Sequence, residues 1–169
     1  DSDTIYRGID VSVYQGDIDF TRVKAADIQV VYIRSGQGAG YTDTRFEENY
    51  QKAKAAGLKF GFYHFVTAKT EAEARTQAQF FARLISGKTY DCRPVMDMEE
   101  FDGMTVTQIN AVGTAFMEEL ERLTGIRPML YTDAYNSRNI WNGSFAKYPL
   151  WVANYDVAEP PDNGIWSGW

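Results

Sequence analysis

Ala55-Ala-Gly-Leu-Lys-Phe-Gly-Phe-Tyr63 reads as a helix end, a left-handed stop at Gly57 and the opening of a strand. Glycine suits that stop because it enters the left-handed region without a Cβ penalty. Leu123-Thr-Gly-Ile-Arg-Pro-Met-Leu-Tyr131 repeats the junction around Gly125, and Ala25-Ala-Asp-Ile-Gln-Val-Val-Tyr32 is a looser third copy. Outward from these junctions, short apolar runs fall at Ile9–Val13, Val30–Arg34, Phe60–Val66, Pro94–Met98, Met129–Thr132 and Leu150–Ala153. They are rich in β-branched or aromatic residues and apolar on both faces, as strands covered on both sides should be.

Helical patterns lie between the runs. Thr44-Arg-Phe-Glu47, Thr70-Glu-Ala-Glu73 and Thr105-Val-Thr-Gln108 each match the reciprocal capping box. After the third, Ile109, Val112, Phe116, Leu120 and Leu123 step by three and four along one face. Regular alternation of strand and helix with short connections implies an α/β fold with a largely parallel sheet, open or closed into a barrel. No linker, charge run or low-complexity tract divides the 169 residues, so one domain spanning 1–169 is expected.

Composition narrows the function. A net charge of −6 argues against a phosphate-backbone ligand, so no nucleic-acid partner is expected. No apolar run reaches membrane-spanning length, and no membrane partner is expected. The opening Asp1-Ser-Asp-Thr has neither methionine nor signal sequence, which fits a processed or trimmed product. Phe, Trp and Tyr make up 15% of the chain, and rings with an apolar face and a polar edge suit stacking on sugars as well as filling a core. Cys92 is the only cysteine and His64 the only histidine. A two-histidine zinc site is therefore excluded and a Gly-x-Ser-x-Gly serine elbow is missing, while a nucleophilic Cys92 would need His64, the one histidine, as its partner. His64 reads as a strand-packed, hydrogen-bonded residue and Cys92 as a small buried one.

In parallel α/β architectures ligands bind at the carboxyl ends of the strands. Asp10 lies in the first strand, Arg34 ends the second, Tyr63 and His64 close the third, and Asp97 and Glu99 end the fourth. Tyr131 and Trp151 fall in the next two. Asp97 and Glu99, two apart on a strand, leave the same face with backbones about 6–7 Å apart. Mutual repulsion and burial at that spacing raise one pKa and give an acid and a carboxylate, the pair that glycosidic cleavage requires. Asp10, in the apolar run Gly8-Ile-Asp-Val-Ser12, is a third acid that is costly to bury without a purpose. Glu100 points the other way. A carboxylate magnesium site from Asp10, Asp97 and Glu99 would need a phosphate clamp, and the chain has none, so neither a metal nor a cofactor is expected.

Taken in order, Gly8-Ile-Asp-Val-Ser with Gln15-Gly16, Val30-Val-Tyr-Ile-Arg-Ser-Gly, Phe46 with Asn49, Gly61-Phe-Tyr-His-Phe, Pro94-Val-Met-Asp-Met-Glu and Leu150-Trp-Val-Ala-Asn-Tyr resemble the glycoside hydrolase family 25 muramidases, the Chalaropsis-type lysozymes. The resemblance implies an irregular, TIM-barrel-like (β/α) barrel. It also implies hydrolysis of the β-1,4 bond between N-acetylmuramic acid and N-acetylglucosamine in peptidoglycan, with net retention. On that resemblance Glu99 is the general acid/base. Asp97 supports the oxocarbenium centre, forms a covalent adduct or orients the substrate N-acetyl group, and Asp10 is the first-strand acid. Tyr63, Tyr131, Trp151, Tyr155 and Arg34 are the substrate-binding residues. A monomer acting on peptidoglycan glycan strands is expected, secreted, wall-associated or phage-encoded. The family continues beyond its final tryptophan region into a Trp-Gln-Tyr strand and a further acid, whereas this chain ends at Ile165-Trp-Ser-Gly-Trp169, so a missing closing strand and a C-terminal truncation are expected. A catalytically impaired peptidoglycan-binding relative and a chitinase-like glycosidase are the alternatives. The second lacks its Asp-x-x-Asp-x-Asp-x-Glu run.

Overall fold

A computed structural model describes residues 8–11, 18–25 and 30–153. Strands β1 (Gly8–Val11), β2 (Val30–Gln37), β3 (Tyr41–Thr42), β4 (Lys59–Val66), β5 (Val95–Met98), β6 (Met129–Asp133) and β7 (Leu150–Ala153) form one sheet. Helices α1 (Phe20–Ala25), α2 (Phe46–Ala55), α3 (Glu71–Ile85), α4 (Val106–Thr124) and α5 (Ala134–Asn139) lie between them, with a 3₁₀ turn at Gly143–Phe145. The order across the sheet is β1-β2-β4-β5-β6-β7, all parallel, and β3 pairs antiparallel with β2.

Period-2 alternation divides the strands between two cores. Val31, Ile33, Phe60, Phe62, Val66, Met96, Met98, Leu130 and Leu150 pack beneath the helices with Phe81, Phe116 and Leu120. Val30, Tyr32 and Val95 pack on the opposite face with Tyr63, Cys92, Met129, Tyr131 and Trp151. In a flat sheet β2 and β7 would lie four strand spacings apart, about 19 Å. The Tyr32 and Trp151 rings instead stack at 4.9 Å, so the sheet curls until its second and last strands meet across a concave face.

Helix boundaries follow the local chemistry with one exception. Thr70 and Thr105 form the expected capping boxes with Glu73 and Gln108. Gly125 (φ 73°) and Gly57 (φ 71°) make the expected left-handed turns. The Thr44 box does not form. The Asp43 side chain takes the Arg45 N–H at 2.9 Å and its carbonyl takes the Phe46 N–H at 3.0 Å, so α2 starts one residue later than the box requires. A short acidic side chain that folds the backbone into a turn competes successfully with the helical cap. Leu123 is also corrected, because the stripe of α4 ends at Leu120 and Leu123 is exposed.

One strand end differs from the sequence reading: β2 does not end at Arg34 but runs to Gln37 through a bulge between Arg34 and Gly36, while β4 ends at Val66 as its apolar run does. The bulge leaves Ser35 unpaired, and its hydroxyl reaches His64 Nδ1 at 2.7 Å on the helix-covered side. His64 Nε2 lies 2.8 Å from the Gly38 carbonyl, which can only accept, so the neutral ring carries its proton on Nε2. Nδ1 then accepts from Ser35, whose proton is shared with the Tyr63 carbonyl at 3.0 Å. Phe81 stacks on the ring at 5.0 Å.

Burial holds His64 well below the ordinary imidazole value, at about 4. As the pH falls, the unfolded chain takes up this proton first, near 6.5, while the folded chain resists until about 4. Stability is therefore complete above pH 6.5 and is lost between 6.5 and 4, by about 3 kcal/mol. Urea melts across this window should show that slope, and His64→Gln should flatten it. A β-carbon on Gly36 would lie 2.0 Å from the Tyr41 carbonyl oxygen. Gly36→Ala should therefore lower stability by roughly 1–3 kcal/mol in the same melts.

Candidate active site

The register aligns the concave face residue by residue. Gln37 pairs with Phe65, Phe65 with Asp97, Asp97 with Tyr131 and Tyr131 with Trp151. Paired residues of parallel strands share a face, so these five side chains form one lateral row near the carboxyl ends of the strands. Arg34 and Tyr63 form the row below and pair with each other. Asp10 is held in β1 with its backbone opposite Tyr32.

Asp97 is the acid of this row and is buried, 8% exposed. β5 ends at Met98, whose side chain joins the helix-facing core, and Glu99 follows one residue beyond the strand on an exposed loop. The pleat sets the side of Asp97, while Glu99 lies one residue past the end of the strand. Asp97 is placed by the sheet and Glu99 by the loop. That loop is tied at two points. Lys69 Nζ donates to the Glu100 carbonyl at 2.9 Å, and the Phe101 ring meets Trp141 edge-on at 6.0 Å. Trp141 is itself seated by an Nε1–H bond of 3.2 Å to Thr132 and by the notch at Gly113, where a β-carbon would come within 2.8 Å of its ring.

Aromatic rings surround the acid. Tyr131 meets Trp151 edge-on at 4.7 Å, and both rings are half-buried. Beneath them Tyr32 donates to the Arg93 carbonyl at 3.2 Å, and burial, the largest cause, raises its phenol far above the ordinary value. Arg34 is buried, with Nη2 donating to Gln37 Oε1 at 2.8 Å and its guanidinium 5.5 Å from the Phe65 ring centre. Arg34, Tyr63, Asp97, Tyr131 and Trp151 therefore share one concave face. Tyr155 lies outside the described residues, as does the chain end on which the expectation of a missing strand rests.

Tyr32, Gln37 and Phe65 belong to this surface and went unrecognised in the sequence. Tyr32 and Phe65 were within reach, since each lies two residues from a chosen candidate and shares its face. Gln37 was not, because the bulge at Ser35 resets the alternation. His64 sits on the helix-covered face and is excluded from the cleft. Cys92, half-buried against Tyr32, has its thiol raised to about 11, chiefly by burial. Among the described residues no three His, Cys, Asp or Glu side chains group as metal ligands, and no helix is long and apolar enough to cross a membrane.

The concave face thus presents a buried carboxylate in a row with aromatic rings, with a second carboxylate just beyond it at a strand end. The family model described as glycosyl hydrolases family 25 matches residues 9–169. An autolytic lysozyme of Clostridium acetobutylicum is 35% identical over 91% of this chain and 46% of its own length. Lysozyme M1 of Streptomyces globisporus is 36% identical over 91% of this chain and 56% of its own. The chain thus spans about half the length of these curated relatives. A family GH25 lysozyme from Aspergillus fumigatus superposes with a TM-score of 0.85 at 30% identity, covering 97% of this chain and 84% of that one. The family match spans nearly the whole chain, and the chain belongs to glycosyl hydrolases family 25.

Proposed function

We propose that this protein is a lysozyme that cleaves the β-1,4 bond between N-acetylmuramic acid and N-acetylglucosamine in peptidoglycan. The observation that carries the reading is Asp97, buried in a row of stacking rings, with Glu99 following on a tethered loop at the end of the same strand. Relatives named lysozyme support it.

In this reading Glu99 gives its proton to the glycosidic oxygen as that bond breaks. Asp97 faces the anomeric carbon from below and stabilises the positive charge that develops there, by direct attack or by holding the substrate N-acetyl group for attack. Glu99, now a carboxylate, takes a proton from the incoming water, which displaces the adduct and restores the acid. Two successive displacements give net retention. Burial of Asp97 strengthens its charge interaction with the anomeric centre relative to water. Asp10, across from Tyr32 in register, adds negative charge to the cleft. Tyr63, Tyr131, Trp151 and Tyr155 offer stacking faces, and Arg34 binds a polar group of the glycan. The curled sheet forms an irregular, TIM-like barrel, and residues 1–169 constitute one catalytic domain. The protein works as a monomer outside the membrane, at the cell wall of its target.

Glu99→Gln should lower release of reducing ends from purified peptidoglycan at least about a hundredfold, while binding to the insoluble wall survives. Asp97→Asn should fall comparably. Full activity of the Glu99 variant would remove the acid assignment. NMR of the fresh product should show the β-anomer first, with muramic acid at the new reducing end. Initial α-anomer would mean inversion, and a terminal glucosamine a different bond specificity.

A further inference from the structure

The aromatic row does not stop at Gln37. In the β2–β3 hairpin Gln37 pairs with Tyr41, and paired residues of antiparallel strands also share a face. The row therefore reads Tyr41, Gln37, Phe65, Asp97, Tyr131 and Trp151 from one rim to the other. Tyr41 stands three strand spacings from Asp97, roughly 14–15 Å along the sheet. That is beyond the sugars flanking the scissile bond. Unlike the half-buried rings near Asp97, Tyr41 is 44% exposed.

The hairpin that carries it is fixed from four sides. The Gly38 carbonyl accepts from His64 Nε2 at 2.8 Å, and the Gly38 N–H donates to the Phe65 carbonyl at 3.0 Å. Asp43 N–H donates to the Ser35 carbonyl at 2.9 Å, and Gly36 lets the Tyr41 backbone approach to a distance that any side chain would forbid. The buried Ser35–His64 pair thus acts through the hairpin on the rim of the cleft. An exposed ring on a backbone ordered before binding loses little entropy when a sugar stacks on it.

We infer that Tyr41 is an outlying sugar-stacking subsite, which grips the glycan strand away from the bond to be cut and makes the enzyme favour long strands over short oligomers. The inference rests on the reading of the cleft as a peptidoglycan site. Leu123, similarly exposed at 41% but at the far end of α4, serves as the control.

The test measures binding of alternating N-acetylglucosamine–N-acetylmuramic acid oligomers of increasing length to the full chain in the Glu99→Gln background, by calorimetry. Affinity should tighten roughly three- to tenfold once the oligomer is long enough to reach Tyr41. Tyr41→Ala should erase that gain and leave binding of the shortest oligomer unchanged. Tyr41→Phe should keep it, and Leu123→Ala should not affect it. A length gain that persists in Tyr41→Ala, or that Leu123→Ala also removes, overturns the inference and leaves the cleft reading intact. Failure of the Glu99→Gln protein to bind any of these oligomers overturns both.

Discussion

A residue in a strand serves one face of the sheet, and its neighbours serve the other. In this protein the outer face is covered by α2, α3 and α4 and takes Val31, Ile33, Phe62, Met96, Met98 and Leu130. Burial of that surface supplies most of the drive to fold. The same alternation then leaves every second residue on the concave side. Asp97 lies between Met96 and Met98, which are fully enclosed, so its position is held by the packing of its neighbours. A carboxylate that would be costly on its own is kept in place by a core that it does not join.

Curvature does the rest. Tyr32 and Trp151 meet although three strands separate theirs, so the concave face becomes a cleft rather than a plane. The Ser35 bulge adds a local correction. It turns one hydroxyl toward His64, shifts the alternation by one residue and returns Gln37 to the concave side. Without it the segment after Arg34 would present the opposite set of side chains. The lone histidine thus shapes the cleft from the other side of the sheet.

Much of this was legible in the chain. The helix-to-strand junctions at Gly57 and Gly125, the two threonine capping boxes and the strand-end location of Asp97 all follow from local rules, and the structure bears them out. Tyr63, Tyr131, Trp151 and Arg34 were also found as candidates, and they share one face. The Thr44 box failed because Asp43, one residue earlier, made a better local hydrogen bond. Leu123 failed because a helical stripe does not reveal where the covering sheet ends.

What the sequence determined by itself was therefore everything set by period and by near neighbours, namely the alternation of strand and helix, the parallel sheet, the acids and the rings. Tertiary structure alone decided which of them meet. Glu99 lies past the end of β5 on a loop tied by Lys69 and Trp141, contacts that span 31 residues in one case and 40 in the other. Gln37 and Tyr41 join the row only because a bulge and a hairpin reset the register. Such pairings depend on the sheet's curl and on residues far apart in the chain, and no local pattern encodes them.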